Sequence, residues 1–246
     1  VITTLHLEEP AKFNIVKKEV LYDSVFSPDV WRICTGRYDV TYYDIETFGK
    51  SIRPPKQEEL PKLRWLAYGS SITQCAGAFT YYDSYIQQAA RRTGVDVINL
   101  GTGGCCRCEE AMADFIAERE DWDFATLELG INMIEEFTPH EFRKRAEYLI
   151  KSIVEKGLEK HVFVITPFPS FFTYQNSEAE SGIREKKYKQ ILKAIVGEIK
   201  SQKLHMIEGS EMMTRFSMLT CDVVHPSSFG HTIIGENLAN KIKSYI

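Results

Sequence analysis

The sequence predicts an α/β fold in which a parallel sheet carries helices on both faces. Two observations predict it. From Leu63 onward, five short apolar runs alternate with five longer segments that read as helices. Sheets built that way bury both faces, so their strands read as short continuous apolar runs. A third observation points to where such a fold would bind something. The runs end in glycine or small polar residues, and in open parallel sheets ligands sit beyond the carboxyl ends of the strands.

Residues 1–60 stand apart. They are rich in β-branched and aromatic residues, and "VWRICTG" and "YDVTYYDIETFG" alternate as half-buried strands do. The stretch "SIRPPKQEELPKL", with three prolines and several charges, reads as a linker. The expectation is a small N-terminal β unit with its linker over 1–60, followed by the main domain over 61–246. The first strand of that domain is "LRWLAYG", followed by the helix "TYYDSYIQQAARRTG", which Gly94 can cap. "VDVINLG" is the second strand, "EEAMADFIAERE" a helix and "FATLELG" the third strand. "TPHEFRKRAEYLIKSIVEKG" is a long helix with Thr138 as N-cap and Pro139 at its first position. "HVFVITPFP" and "LHMIEG" are the last two strands, separated by the helix "REKKYKQILKAIVGEIKSQ". The chain closes on an amphipathic helix that starts near Ser227 or Ser228.

The totals narrow the function. The 246 residues carry a net charge of −4, against the basic excess of a nucleic-acid binder. No apolar run is long enough to span a membrane. The opening "VITTLHLEEP" lacks the basic and apolar regions of a secretory signal. Six cysteines, three of them in "GGCCRCEE", lack the second spaced ligand pair of a zinc site and read as reduced thiols of a cytoplasmic protein. The expectation is a small-molecule substrate, no nucleic acid, no membrane span, no metal and no cofactor, with the oligomeric state left open.

The polar strand ends carry the chemistry. "WLAYGSSIT" runs a buried strand straight into two serines, Ser70 and Ser71, either of which could be a nucleophile. A serine hydroxyl needs a neighbouring base. His225 is the best one, because Asp222 three residues earlier can accept its ring proton and fix its tautomer. Alone, D-x-x-H reads more simply as a turn before the last helix; beside the serine turn it reads as a base and its orienter. Acyl transfer also needs donors for the developing oxyanion. Gly101, Gly103 and Gly104 of "GTGG" offer backbone N–H groups, and Asn132 a side-chain amide. The glycine spacing fits neither common nucleotide-binding loop. The aromatics of "PFPSFFTYQ" read equally as a pocket wall or as a packed loop.

"YGSSIT", "NLGTGG", "LGIN" and "DVVHP", in that order, resemble the four signature blocks of the SGNH (GDSL-type) hydrolases. The first and third blocks are most similar to a subgroup that writes them Y-G-S-S-I-T and L-G-I-N. The resemblance spans residues 63–246. It implies a flavodoxin-like, three-layer α/β/α fold and a serine esterase without metal. On the matching positions it implies Ser71 as nucleophile, His225 as base and Asp222 as orienter. The oxyanion hole would be Ser71, Gly104 and Asn132. Three positions depart from the usual pattern: Ser70 and Met133 replace aspartates, and Cys105 replaces an asparagine. Relatives that place a β-sandwich before this domain suggest a partial sandwich over 1–60 and sugar esters as substrates. The function implied is hydrolysis of a small acyl ester, acetyl above all, on a carbohydrate or other alcohol through an acyl-serine. Its rivals are an acyl thioesterase with the same site and an inactive ligand-binding module.

Overall fold

The computed structural model describes residues 5–36, 40–157, 159–176 and 178–246. Five strands, β1 (Arg64–Gly69), β2 (Asp96–Gly101), β3 (Phe124–Glu128), β4 (His161–Ile165) and β5 (Leu204–Ile207), form one sheet. All pairs are parallel and the order is β2-β1-β3-β4-β5, the flavodoxin-like arrangement. The expected α/β/α fold is therefore the observed one.

Five principal helices cover the sheet: α1 (Tyr85–Thr93), α2 (Glu110–Ala117), α3 (Pro139–Lys156), α4 (Glu180–Glu198) and α5 (Ser228–Ile242). Side chains alternate across a strand, so each strand feeds two cores. Leu66, Tyr68, Leu127 and Val164 point to a cluster completed by α2, α3 and α4. Trp65, Ala67, Phe124 and Phe163 point the other way, to a cluster completed by α1 and α5. The face of α3 that carries Phe142, Leu149, Ile150 and Ile153 is fully buried. Each such side chain contributes about 1.5–3 kcal/mol relative to exposure.

Local signals set the helix ends. Thr138 and Glu141 form a reciprocal cap on α3: the Thr138 N–H donates to the Glu141 carboxylate at 2.8 Å and the Glu141 N–H to Thr138 Oγ1 at 3.3 Å. Gly94 closes α1 at φ +73°, where glycine carries no steric penalty. Helix α1 starts later than the sequence suggests. Ser84 caps it, and the preceding Tyr81–Asp83 forms a separate 3₁₀ turn. Helix α4 starts about one turn earlier, at Glu180.

The expected N-terminal β unit is not observed. Among the described residues before Arg64 there is no strand. The segment carries a 3₁₀ turn at Ala11–Ile15, one helical turn at Lys18–Tyr22 and a 3₁₀ turn at Gln57–Glu59. "VWRICTG" is extended coil closed by a turn. Of "YDVTYYDIETFG", Tyr38 and Asp39 lie outside the described residues and the remainder is unpaired. The physical reason is the lack of a surface to cover: Tyr42, Tyr43 and Phe48 are 72–82% exposed. Alternation makes a strand only where a partner edge and a buried face exist. The segment is instead tethered to the sheet's edge. Arg32 pairs with Asp96 of β2, and its guanidinium lies over the Phe26 ring at 4.4 Å. The partial sandwich is corrected accordingly.

Candidate active site

Strand β1 ends at Gly69, and the chain turns at once into a four-residue helix, Ser71–Gln74. Ser70 is its N-cap, with Oγ accepting the Ile72 N–H at 3.2 Å. Ser71 is therefore the first helical residue, and its own N–H has no intrahelical acceptor. The turn is packed hard against β2. A Cβ on Gly101 would sit 2.4 Å from the Gln74 backbone nitrogen, so only glycine allows this approach.

The two serines face different ways. Ser70 is fully buried, and its hydroxyl donates to Glu128 Oε2 at 2.6 Å. Ser71 Oγ lies 2.8 Å from His225 Nε2. His225 Nδ1 lies 2.7 Å from Asp222 Oδ2. A carboxylate at Nδ1 holds the proton on that nitrogen, which leaves Nε2 as an acceptor for the Ser71 hydroxyl. The structure thus brings together three residues that are up to 154 positions apart in the chain.

The loop that presents His225 is built around Asp222. Its Oδ1 accepts the N–H groups of His225 and Val224, each at 2.9 Å, and the Thr220 hydroxyl at 2.7 Å. Burial alone would raise the carboxyl pKa. The bonds from the His225 N–H and ring, the Val224 N–H and the Thr220 hydroxyl outweigh it and hold Asp222 well below the usual carboxylate range. Asp222 is thus ionised at neutral pH. Val223 pays for the tight loop with φ +54°, a left-handed conformation that β-branched residues rarely adopt. Its carbonyl accepts the Phe171 N–H at 2.8 Å, so the "PFPSFFTYQ" loop braces the histidine loop. Of its aromatics, Phe168 and Phe172 are packed in the two cores rather than lining a pocket.

The oxyanion candidates converge on the same edge. Gly103 lies beside the serine turn: a Cβ there would be 3.6 Å from Ser71 Cβ. Its N–H donates to Gln74 Oε1 at 3.1 Å. Gly104 follows at φ +71° with open space around it. Asn132 lies in the short turn after β3. Its Oδ1 accepts the Cys106 N–H at 3.2 Å, which fixes the amide and leaves the Nδ2 donors for another partner.

The departures from the usual blocks also find places. Met133 is fully buried in the core, and its carbonyl accepts the Tyr188 hydroxyl at 2.9 Å. Cys105 is exposed, whereas Cys106 and Cys108 are buried. The Cys106 thiol donates to the Glu128 carbonyl at 3.3 Å. Among the described residues, no group of three or more His, Cys, Asp or Glu is arranged to hold a metal. No helix among them is long and apolar enough to cross a membrane.

One residue at the site escapes a reading of the sequence: Glu128, for which an acid at the end of the apolar run in "FATLELG" is the available signal. His231, in the first turn of the last helix, reads from the sequence as a structural residue. In the fold its Nδ1 accepts the Tyr85 N–H at 3.1 Å, and its Nε2–H donates to the Ala76 carbonyl at 2.9 Å. It ties α5 and α1 to the end of the serine turn. Burial pushes its pKa down to about 4, against the Ala76 bond, which would raise it.

The sequence profile of the GDSL-like lipase/acylhydrolase family matches residues 63–243. No curated protein matches the chain. Solved structures do match it in fold. A GDSL-like protein from Bacteroides ovatus aligns with a TM-score of 0.64 at 21% identity, over 74% of this chain and 53% of its own. A salicylyl-acyltransferase of a tetracycline biosynthetic pathway aligns with a TM-score of 0.64 at 18% identity, over 74% and 55%. A carbohydrate acetylesterase from Sinorhizobium meliloti aligns with a TM-score of 0.57 at 16% identity, over 75% and 100%. The first two alignments span about half of those chains, 53% and 55%. At these identities the structures speak to the fold alone. The profile match covers most of the sequence, and on it the chain belongs to the GDSL-like lipase/acylhydrolase family.

Proposed function

We propose that residues 61–246 form a serine esterase that hydrolyses a small acyl ester, acetyl above all, on a carbohydrate or similar alcohol. The observation that carries the reading is the relay itself, Ser71 Oγ to His225 Nε2 at 2.8 Å and His225 Nδ1 to Asp222 Oδ2 at 2.7 Å. Ser71 Oγ attacks the ester carbonyl while His225 Nε2 takes its proton. Asp222, already ionised, stabilises the imidazolium that results. The carbonyl oxygen becomes an oxyanion, held by the N–H groups of Ser71 and Gly104 and the Asn132 amide. His225 returns the proton to the leaving alcohol and an acyl-serine remains. Water then repeats the sequence: His225 takes its proton, the oxygen attacks the acyl carbon, and Ser71 leaves with the proton back.

The small polar ester is suggested by a protein of the same fold, the carbohydrate acetylesterase from Sinorhizobium meliloti. The test compares acetylated sugars with p-nitrophenyl esters of rising chain length and with matched thioesters. The reading predicts the highest kcat/KM on acetyl esters. A preference for long acyl chains or thioesters would overturn the substrate class. No turnover of any of them, with Ser71 inert to a fluorophosphonate, would leave a binding module.

A further inference from the structure

Glu128 stands at the end of β3, and it is a buried carboxylate without a cation. It is 1% exposed. One of its oxygens, Oε2, collects three donors from the nucleophile turn: the Ser70 N–H at 2.8 Å, the Ser70 hydroxyl at 2.6 Å and the Thr73 hydroxyl at 3.2 Å. The other, Oε1, is buried with no partner among the described residues. The groups facing it are neutral. Thr73 Oγ1 also meets the Tyr85 hydroxyl of α1 at 2.7 Å, and the Cys106 thiol donates to Glu128's own carbonyl at 3.3 Å. An unpaired, half-satisfied carboxylate in a core is costly, and folds keep such groups where a site uses them.

We propose that Glu128 is a positioning residue for the serine esterase site, gripping Ser70 and Thr73 so that Ser71 faces His225. Ser71 sits between the two gripped residues. The backbone of Ser70 is pinned through its N–H, and its side chain is pinned between Glu128 and the Ile72 N–H. That sets the rotation of the turn, and with it the direction of both the Ser71 Oγ and the Ser71 N–H. The strand register makes this geometry available: Tyr68 of β1 pairs with Leu127 of β3, so the next residue along β3 lies beside the start of the turn. Burial pushes the Glu128 pKa up to about 7 against the Ser70 and Thr73 bonds, as expected of a carboxylate that has only hydroxyls and an amide to hold it.

The proposal rests on Ser71 being the nucleophile, so Ser71→Ala is assayed alongside. If that variant remains active, the site reading fails and this proposal is overturned with it; if only the Glu128 variants behave as wild type, this proposal alone fails. The experiment measures kcat, KM and the fluorophosphonate labelling rate for Glu128→Leu, Glu128→Gln, Ser70→Ala and Thr73→Val, with folding checked by circular dichroism well below each Tm. Glu128→Leu should lose roughly 100-fold in kcat and in labelling rate with KM little changed, the size of loss that a displaced reacting group produces. Glu128→Gln keeps an acceptor for Ser70 and should recover to within about tenfold of wild type. Should Glu128→Leu fail to fold, Ser70→Ala and Thr73→Val remain, each removing one donor. Each should lower kcat about three- to tenfold without raising KM. A folded Glu128→Leu that labels and turns over at the wild-type rate would overturn the proposal. So would wild-type kcat in Glu128→Gln, Ser70→Ala and Thr73→Val together, whatever their Tm values.

Discussion

His231 should make the fold acid-sensitive by a calculable amount. It is fully buried, and its two ring nitrogens are committed: Nδ1 accepts from Tyr85 and Nε2–H donates to Ala76. A second ring proton would have to displace the Tyr85 N–H and be buried as charge. The pKa accordingly falls from 6.5 in the unfolded chain to about 4 in the fold. For a histidine that folds neutral, stability is fully present above the unfolded value and is lost as pH falls from about 6.5 toward 4. A displacement of about 2.5 at about 1.4 kcal/mol each gives a loss of about 3 kcal/mol between pH 7 and pH 4. Other groups titrate over the same range, so the measurement is a difference of differences. Urea unfolding is run at pH 7 and pH 4 on the wild type and on His231→Asn, whose amide offers one acceptor and one donor but does not titrate. The wild type should lose about 3 kcal/mol more than the variant over that interval. Equal losses in the two proteins would refute the reasoning, because the buried imidazole would then carry no linkage.

Four further outcomes follow from the site. Ser71→Ala should lower kcat by several orders of magnitude, whereas Ser70→Ala, whose hydroxyl points away from His225, should stay within about tenfold of wild type. Asn132→Ala should cost about 3 kcal/mol of transition-state stabilisation, read as a roughly 100- to 1000-fold fall in kcat on an acetyl ester. Asp222→Ala should fall by about 100- to 10,000-fold, and by less than His225→Ala, since it orients the ring rather than moving the proton. Activity should survive excess EDTA, and elemental analysis of the purified protein should find no stoichiometric zinc. Chelator-sensitive turnover with one zinc per chain would contradict that.

Much of the fold is written locally. The strands can be read from their apolar runs, and α3 from Thr138, Pro139 and Glu141, because those signals act within a few residues. The serine turn and the D-x-x-H loop are legible for the same reason: serine after a strand, and a carboxylate three positions before a histidine, are short patterns with direct chemistry. What depends on pairing across the chain is not legible. Glu128 reaches Ser70 only because β1 and β3 are neighbours in a particular register. The partners of His231 depend on α5 packing on α1 and the end of the serine turn. The N-terminal segment misleads in the opposite direction. Val40 and Tyr42 on one face, and Tyr43 and Ile45 on the other, are spaced as in a strand, yet a strand needs an edge to pair with, and these side chains remain exposed.

The central claim is that Ser71, activated by His225, forms the acyl-enzyme. The most direct test treats the wild type, Ser71→Ala and His225→Ala with a fluorophosphonate and maps the adduct by peptide mass spectrometry. The account predicts one adduct on the wild type, on Ser71, none on Ser71→Ala, and labelling slowed by orders of magnitude in a folded His225→Ala. An adduct on Ser70, or undiminished labelling of Ser71 without His225, would contradict it.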